Sequence, residues 1–116
     1  LLALTTSAGA QATNARVTTV GAAEVAMARG DRTTAQALAR SVVRVYEERT
    51  SGWSSADLTA IARAYVVLGD AESVRAALRV FDAAVAADRN NMDAIVRTGD
   101  LFLETYNAPE ARESYS

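Results

Sequence analysis

The sequence predicts an all-α fold of stacked antiparallel helical hairpins, five to six helices in all, and three observations carry that expectation. Alanine exceeds a fifth of the 116 residues and there is a single Pro, so helix formers dominate and strand formers are few. Apolar residues recur at three- and four-residue spacing in successive stretches, the period of a helix with one buried face. Two Gly-Asp pairs, Gly30-Asp31 and Gly69-Asp70, punctuate those stretches. Glycine takes the left-handed conformation that ends a helix, and aspartate caps the helix that follows.

Size and chemistry narrow the function. At 116 residues the chain supports one modest core. Its net charge is -2, all basic residues are Arg, and the two signs are interspersed, so no cationic run exists to neutralise phosphates and a nucleic-acid partner is not expected. Cys and His are absent, which removes thiolate and imidazole catalysis, disulfides and the usual zinc sites. The spacing of Asp and Glu describes no carboxylate site either. The expectation is therefore a protein that is not an enzyme and takes no cofactor. No run of about 18 apolar residues occurs, so membrane insertion is not expected.

In chain order, LLALTTSAGAQA joins a short apolar run to small residues ending Ala10-Gln11-Ala12. That is the pattern of the back half of a secretory signal peptide, with cleavage between Ala12 and Thr13, and it predicts a periplasmic or secreted protein; a frayed helical start would leave the chain cytoplasmic. The first helix is expected over about Asn14 to Arg29 with Val17, Val20, Ala23 (or Glu24 on the edge) and Met27 on one face. Thr18, Thr19 and Gly21 weaken it. The second, about Arg32 to Arg49, places Ala35, Leu38, Ala39, Val42, Val45 and Tyr46 in its stripe. In TSGWSSAD, Ser54 followed by Asp57 resembles a capping box, and Trp53 with Leu58 is placed as a hydrophobic staple.

The third helix, about Ser55 to Leu68, presents Leu58, Ile61, Ala62, Tyr65 and Leu68; the fourth, about Ala71 to Ala87, presents Val74, Ala77, Leu78, Phe81, Ala84 and Val85. Asn90 or Asn91 caps the fifth helix, with Asp93 placed well in its first turn. Pro109 then opens a sixth, which carries Ala111 and Tyr115. Ala77 and Phe81 precede Ala111 and Tyr115 by one period of about 34 residues, small before large each time.

These residues resemble the tetratricopeptide repeat, a helical hairpin of about 34 residues with fixed small and large positions. Leu58, Ile61, Ala62, Tyr65, Ala77, Phe81 and Ala84 match it in a middle unit, and Ile95, Gly99, Phe102, Ala111 and Tyr115 in a last one. Thr98 stands where an apolar residue is usual, and Arg89 where the family has Pro. A first unit built on Ala23, Ala26, Ala35, Ala39 and Val42 is divergent. The resemblance implies units over about 14–50, 54–91 and 92–116, the last cut short. Tyr65, Phe81 and Phe102 are expected between the layers.

The resemblance also implies a superhelix whose concave groove binds a protein or peptide, in an exported bacterial scaffold. Its groove positions fall on Ala56, Thr59, Arg63, Val66 and Val67, and on Asp93, Val96, Arg97, Asp100, Leu103 and Glu104, and of these Arg63, Val66, Val67, Val96, Arg97, Asp100 and Glu104 are the seven residues expected to meet a partner. Arg63 and Arg97 either hold a partner's carboxylate bidentately or are solvated or paired with Asp100 and Glu104. A truncated last hairpin would also expose apolar surface around Tyr115 and favour self-association. The competing expectation is the N-terminal helical part of a larger secreted hydrolase whose catalytic domain lies outside these residues.

Overall fold

The protein is described here by a computed structural model over residues 8–107, with side chains over 8–105. Within that range it is all helical, without strands: α1 (Ala8–Ala28), α2 (Arg32–Glu48), α3 (Ser55–Leu68), α4 (Ala71–Ala87) and α5 (Met92–Asn107). Residues 1–7 of the apolar N-terminal run lie outside it. So does the expected sixth helix with Pro109, Ala111 and Tyr115.

The caps set the boundaries. After α1, Gly30 adopts φ +82°, and the Gly30 and Asp31 amides donate back to the carbonyls of Met27 and Ala26 at 3.0 and 2.9 Å. This double closure satisfies carbonyls that would otherwise be orphaned at the helix end. Asp31 then accepts from the Thr34 amide at 3.1 Å. Gly69 repeats the stop at φ +76°, and Asp70 repeats the cap by accepting from the Ser73 amide at 3.1 Å. Of the two asparagines, Asn91 is the cap of α5, accepting from the Ala94 amide at 3.0 Å.

Short turns make α1–α2 and α3–α4 hairpins, and α3 is the element the others share, packing extensively against α1, α2 and α4. Its burial reflects that position: Leu58, Ile61, Ala62 and Tyr65 are buried as the stripe requires, and Asp57, Thr59, Ala60, Ala64 and Val67 are buried as well. Alanines at 60, 62 and 64 let neighbouring backbones approach, and Phe81 from α4, 1% exposed, fills the space beside them in the same core.

Several expectations need correction. Helix α1 begins at Ala8 rather than near Asn14, so Ala10, Gln11 and Ala12 lie in its first turns. These are residues of high helix propensity, and Thr13 is tied to α3. Val17 is 39% exposed while Ala26 is buried; in α2, Val45 is 41% exposed and Val43 takes its place in the core. Each of these helices meets α3 as well as its hairpin partner, which turns the buried stripe away from the single face that periodicity describes.

The largest departure is in α5. Tyr65 and Phe81 are buried, but Phe102 is 58% exposed and Ile95 38%, whereas Ala94 and Leu101 are buried. Among the described residues only α4 packs extensively on α5. The helix is therefore docked through the edge bearing Ala94 and Leu101, whose counterparts in the middle unit, Asp57 and Ala64, are buried too.

Candidate functional site

A cleft of about 170 Å³ opens where α1, α3 and α5 converge, over a floor from α4; it is lined by Glu24, Arg63, Val66, Phe81, Arg97, Asp100, Leu101 and Glu104. Five of the seven residues expected to meet a partner are thus brought together: Arg63, Val66, Arg97, Asp100 and Glu104. Two are not. Val67 is 8% exposed and lies toward the neighbouring cleft with Met27 and Gln36; Val96 is 55% exposed and lines no part of this cleft.

Glu24 organises the cleft. Its Oε2 accepts from Arg63 Nε at 3.1 Å, and its Oε1 from Arg63 Nη2, the parallel fork that a guanidinium and a carboxylate share. Arg97 Nη1 reaches the same Oε2 at 3.4 Å, and Arg97 Nε donates to Asp93 Oδ1 at 2.9 Å within α5. The hydrogen bonds that Arg63 donates to Glu24 hold its pKa above the ordinary value against the opposing effect of burial, and the charges of Glu24 and Asp93 add to it. Both arginines are therefore paired, with Glu24 and Asp93 rather than Asp100 and Glu104. The spacing within α5 makes Asp93–Arg97 legible as an i, i+4 pair. Nothing local relates Glu24 to Arg63, which only the packing of α1 on α3 brings together.

Two polar clusters fix the helices that form the cleft. At the start of α3, Ser54 accepts from the Asp57 amide at 3.1 Å. The Asp57 side chain does not return to the Ser54 amide as a full capping box would. It accepts from Ser54 Oγ at 2.9 Å, Thr13 Oγ1 at 2.8 Å and Arg16 Nη1 at 2.6 Å, tying α1 to α3. Burial pushes the Asp57 pKa up, but the hydrogen bonds from Thr13, Ser54 and Arg16, with the Arg16 charge, outweigh it and hold the carboxyl below its ordinary value.

Trp53 and Leu58 are both buried, as a staple requires. The indole also lies against the guanidiniums of Arg16 and Arg49, 4.6 and 4.2 Å from its ring centroid, and its N–H donates to the Arg49 carbonyl. Such cation–π contacts add to the apolar burial of the ring. At the start of α5, Asn91 Nδ2 donates to Ser55 Oγ at 2.8 Å and Thr59 Oγ1 at 2.9 Å, and Ser55 Oγ donates to the Ala84 carbonyl. One side chain thus caps α5 and binds it to α3. Thr59, a groove candidate by sequence, is buried in this network.

On the other side of α3, α2 and α4 enclose a separate cleft lined by Arg40, Glu47, Tyr65, Asp70 and Arg79 among others. Tyr65 OH donates to Glu47 Oε1 at 3.3 Å. Burial, then the Glu47 charge, push the phenol pKa up to about 12.

Among the described residues no cluster of carboxylates is arranged to hold a metal ion, and no helix is long and apolar enough to cross a membrane. Compared with protein-family models, with curated proteins and with solved structures, the chain matches none of them.

Proposed function

We propose that the chain is an interaction scaffold of tetratricopeptide-like hairpins, which takes a peptide or protein partner along the face that α1, α3 and α5 share. The observation that carries this reading is the convergence of the odd-numbered helices on one cleft, with α2 and α4 sharing a different one. That division into two layers is what a stack of hairpins produces. The order of packing supports it: among the described residues α5 packs extensively on α4, and α4 does not pack extensively on α1 or α2. The middle unit supports it too, because Leu58, Ile61, Ala62, Tyr65, Ala77, Phe81 and Ala84 are all buried.

Val66, 37% exposed, is the apolar residue of α3 that a partner can reach, and the arginine network beside it holds the cleft walls in place. A random dodecapeptide display library selected on the protein tests the reading. Peptides enriched on the wild type and lost on the Val66→Gln variant, which adds no charge, support it. Peptides that bind both forms equally, or no enrichment at all, would remove the groove assignment. Arg63→Ala is expected to weaken the enriched peptides by loosening α1 from α3 and α5 through Glu24, and Arg97→Ala to do so less.

A further inference from the structure

We infer that the partner's anchoring group is a basic side chain, set between Asp100 and Glu104 with its stem on Val66 and Leu101; this rests on the groove reading above. The positive charge in the cleft is already used. Arg63 gives both arms of its fork to Glu24, and Arg97 is divided between Glu24 and Asp93. Neither guanidinium keeps its fork free for a partner's carboxylate.

Asp100 and Glu104 line the same cleft and are exposed, one helical turn apart on one face of α5. Among the described residues neither has an ion pair or a side-chain hydrogen bond. Like charges at this spacing repel, and a cation placed between them relieves the repulsion. The remaining surface is apolar: Val66 at the rim, with Leu101 and Phe81 beneath.

A long methylene stem with a charged head fits that sequence of surfaces, apolar below and anionic at the mouth. Size agrees with one side chain rather than a whole motif, since the cleft holds about 170 Å³ and a cavity of roughly 150 Å³ accommodates a benzene-sized group. A carboxylate in the same place would meet Asp100 and Glu104 with both arginines already committed. An acidic peptide is therefore the poorer fit.

The dodecapeptide selection supplies the probes. Enriched peptides are synthesised, and their affinities measured by calorimetry for the wild type and for the double variant Asp100→Asn/Glu104→Gln, which keeps side-chain shape and removes charge at two exposed positions. Peptides rich in Arg or Lys are expected, weakened about tenfold or more in the double variant, with the wild-type affinity falling as salt rises. Replacing the basic residues of a bound peptide by Glu should abolish binding.

Acidic or uncharged peptides that are still lost on Val66→Gln would overturn the basic anchor and leave the groove standing. Basic peptides unaffected by Asp100→Asn/Glu104→Gln but lost on Val66→Gln would do the same. Peptides indifferent to both variants, or no enrichment, would end the groove reading itself.

Discussion

Asp57 shows how a residue read as a local cap becomes a tertiary anchor. Its spacing from Ser54 announces a helix start, yet its carboxylate collects Thr13 and Arg16 from a helix more than forty positions away in sequence. Because its pKa is lowered in the folded state, the stability it contributes is present above the unfolded-state pKa of about 4 and is lost as pH falls through the lower folded value. Asp57→Asn should therefore flatten the acid limb of stability, measured by urea denaturation from pH 7 down to pH 2. Asp31 and Asp70, whose carboxyls are also held low by hydrogen bonds within their caps, keep a residual slope.

Tyr65 works in the opposite direction. With its pKa raised to about 12, its contribution is intact below the unfolded value near 10 and is lost as pH climbs toward 12. An absorbance titration should find one phenol ionising last, and that phenol should be missing in Tyr65→Phe. Phe81 is 1% exposed, and Phe81→Ala should cost about 3 to 5 kcal/mol in urea unfolding.

At the scale of elements, the described attachments of α5 can be tested singly. Asn91 joins the α5 cap to Ser55 and Thr59 of α3, so Asn91→Ala should cost about 1 to 2 kcal/mol and raise amide exchange in α5 before it does so in α3. The Glu24 pairs differ by exposure: the Arg63 side chain is 13% exposed and that of Arg97 is 37%. Double-mutant cycles should return a coupling of about 1 kcal/mol for Glu24 with Arg63 and less than about 0.5 kcal/mol with Arg97. Equal couplings would mean that Glu24 does not prefer the fork.

The elements themselves were largely legible. Gly30-Asp31, Ser54 and Gly69-Asp70 placed the starts of α2, α3 and α4 and the stops of α1 and α3 to within a residue or two, because caps are local chemistry. The start of α1 was not, since an alanine-rich run before Asn14 has helix propensity but no cap to mark where it begins.

For the whole molecule, protection should follow neighbours. Among the described residues α3 packs on three helices and α5 extensively on one, so native-state hydrogen exchange should find the slowest amides in α3, opening with global unfolding. The α5 amides should exchange through a smaller opening; uniform protection across the five helices would contradict this.

Composition and periodicity by themselves determined that the chain is helical, where most helices begin and end, and which of Leu58, Ile61, Ala62, Tyr65, Ala77, Phe81 and Ala84 are buried, because these depend on residues within a few turns of each other. Tertiary structure alone decided which face of α5 docks, leaving Phe102 58% exposed and Leu101 buried. It also decided that Glu24 claims both arginines. A helix with more than one neighbour buries surface according to where those neighbours lie, and a charge finds its partner by distance in space, which spacing along the chain does not encode.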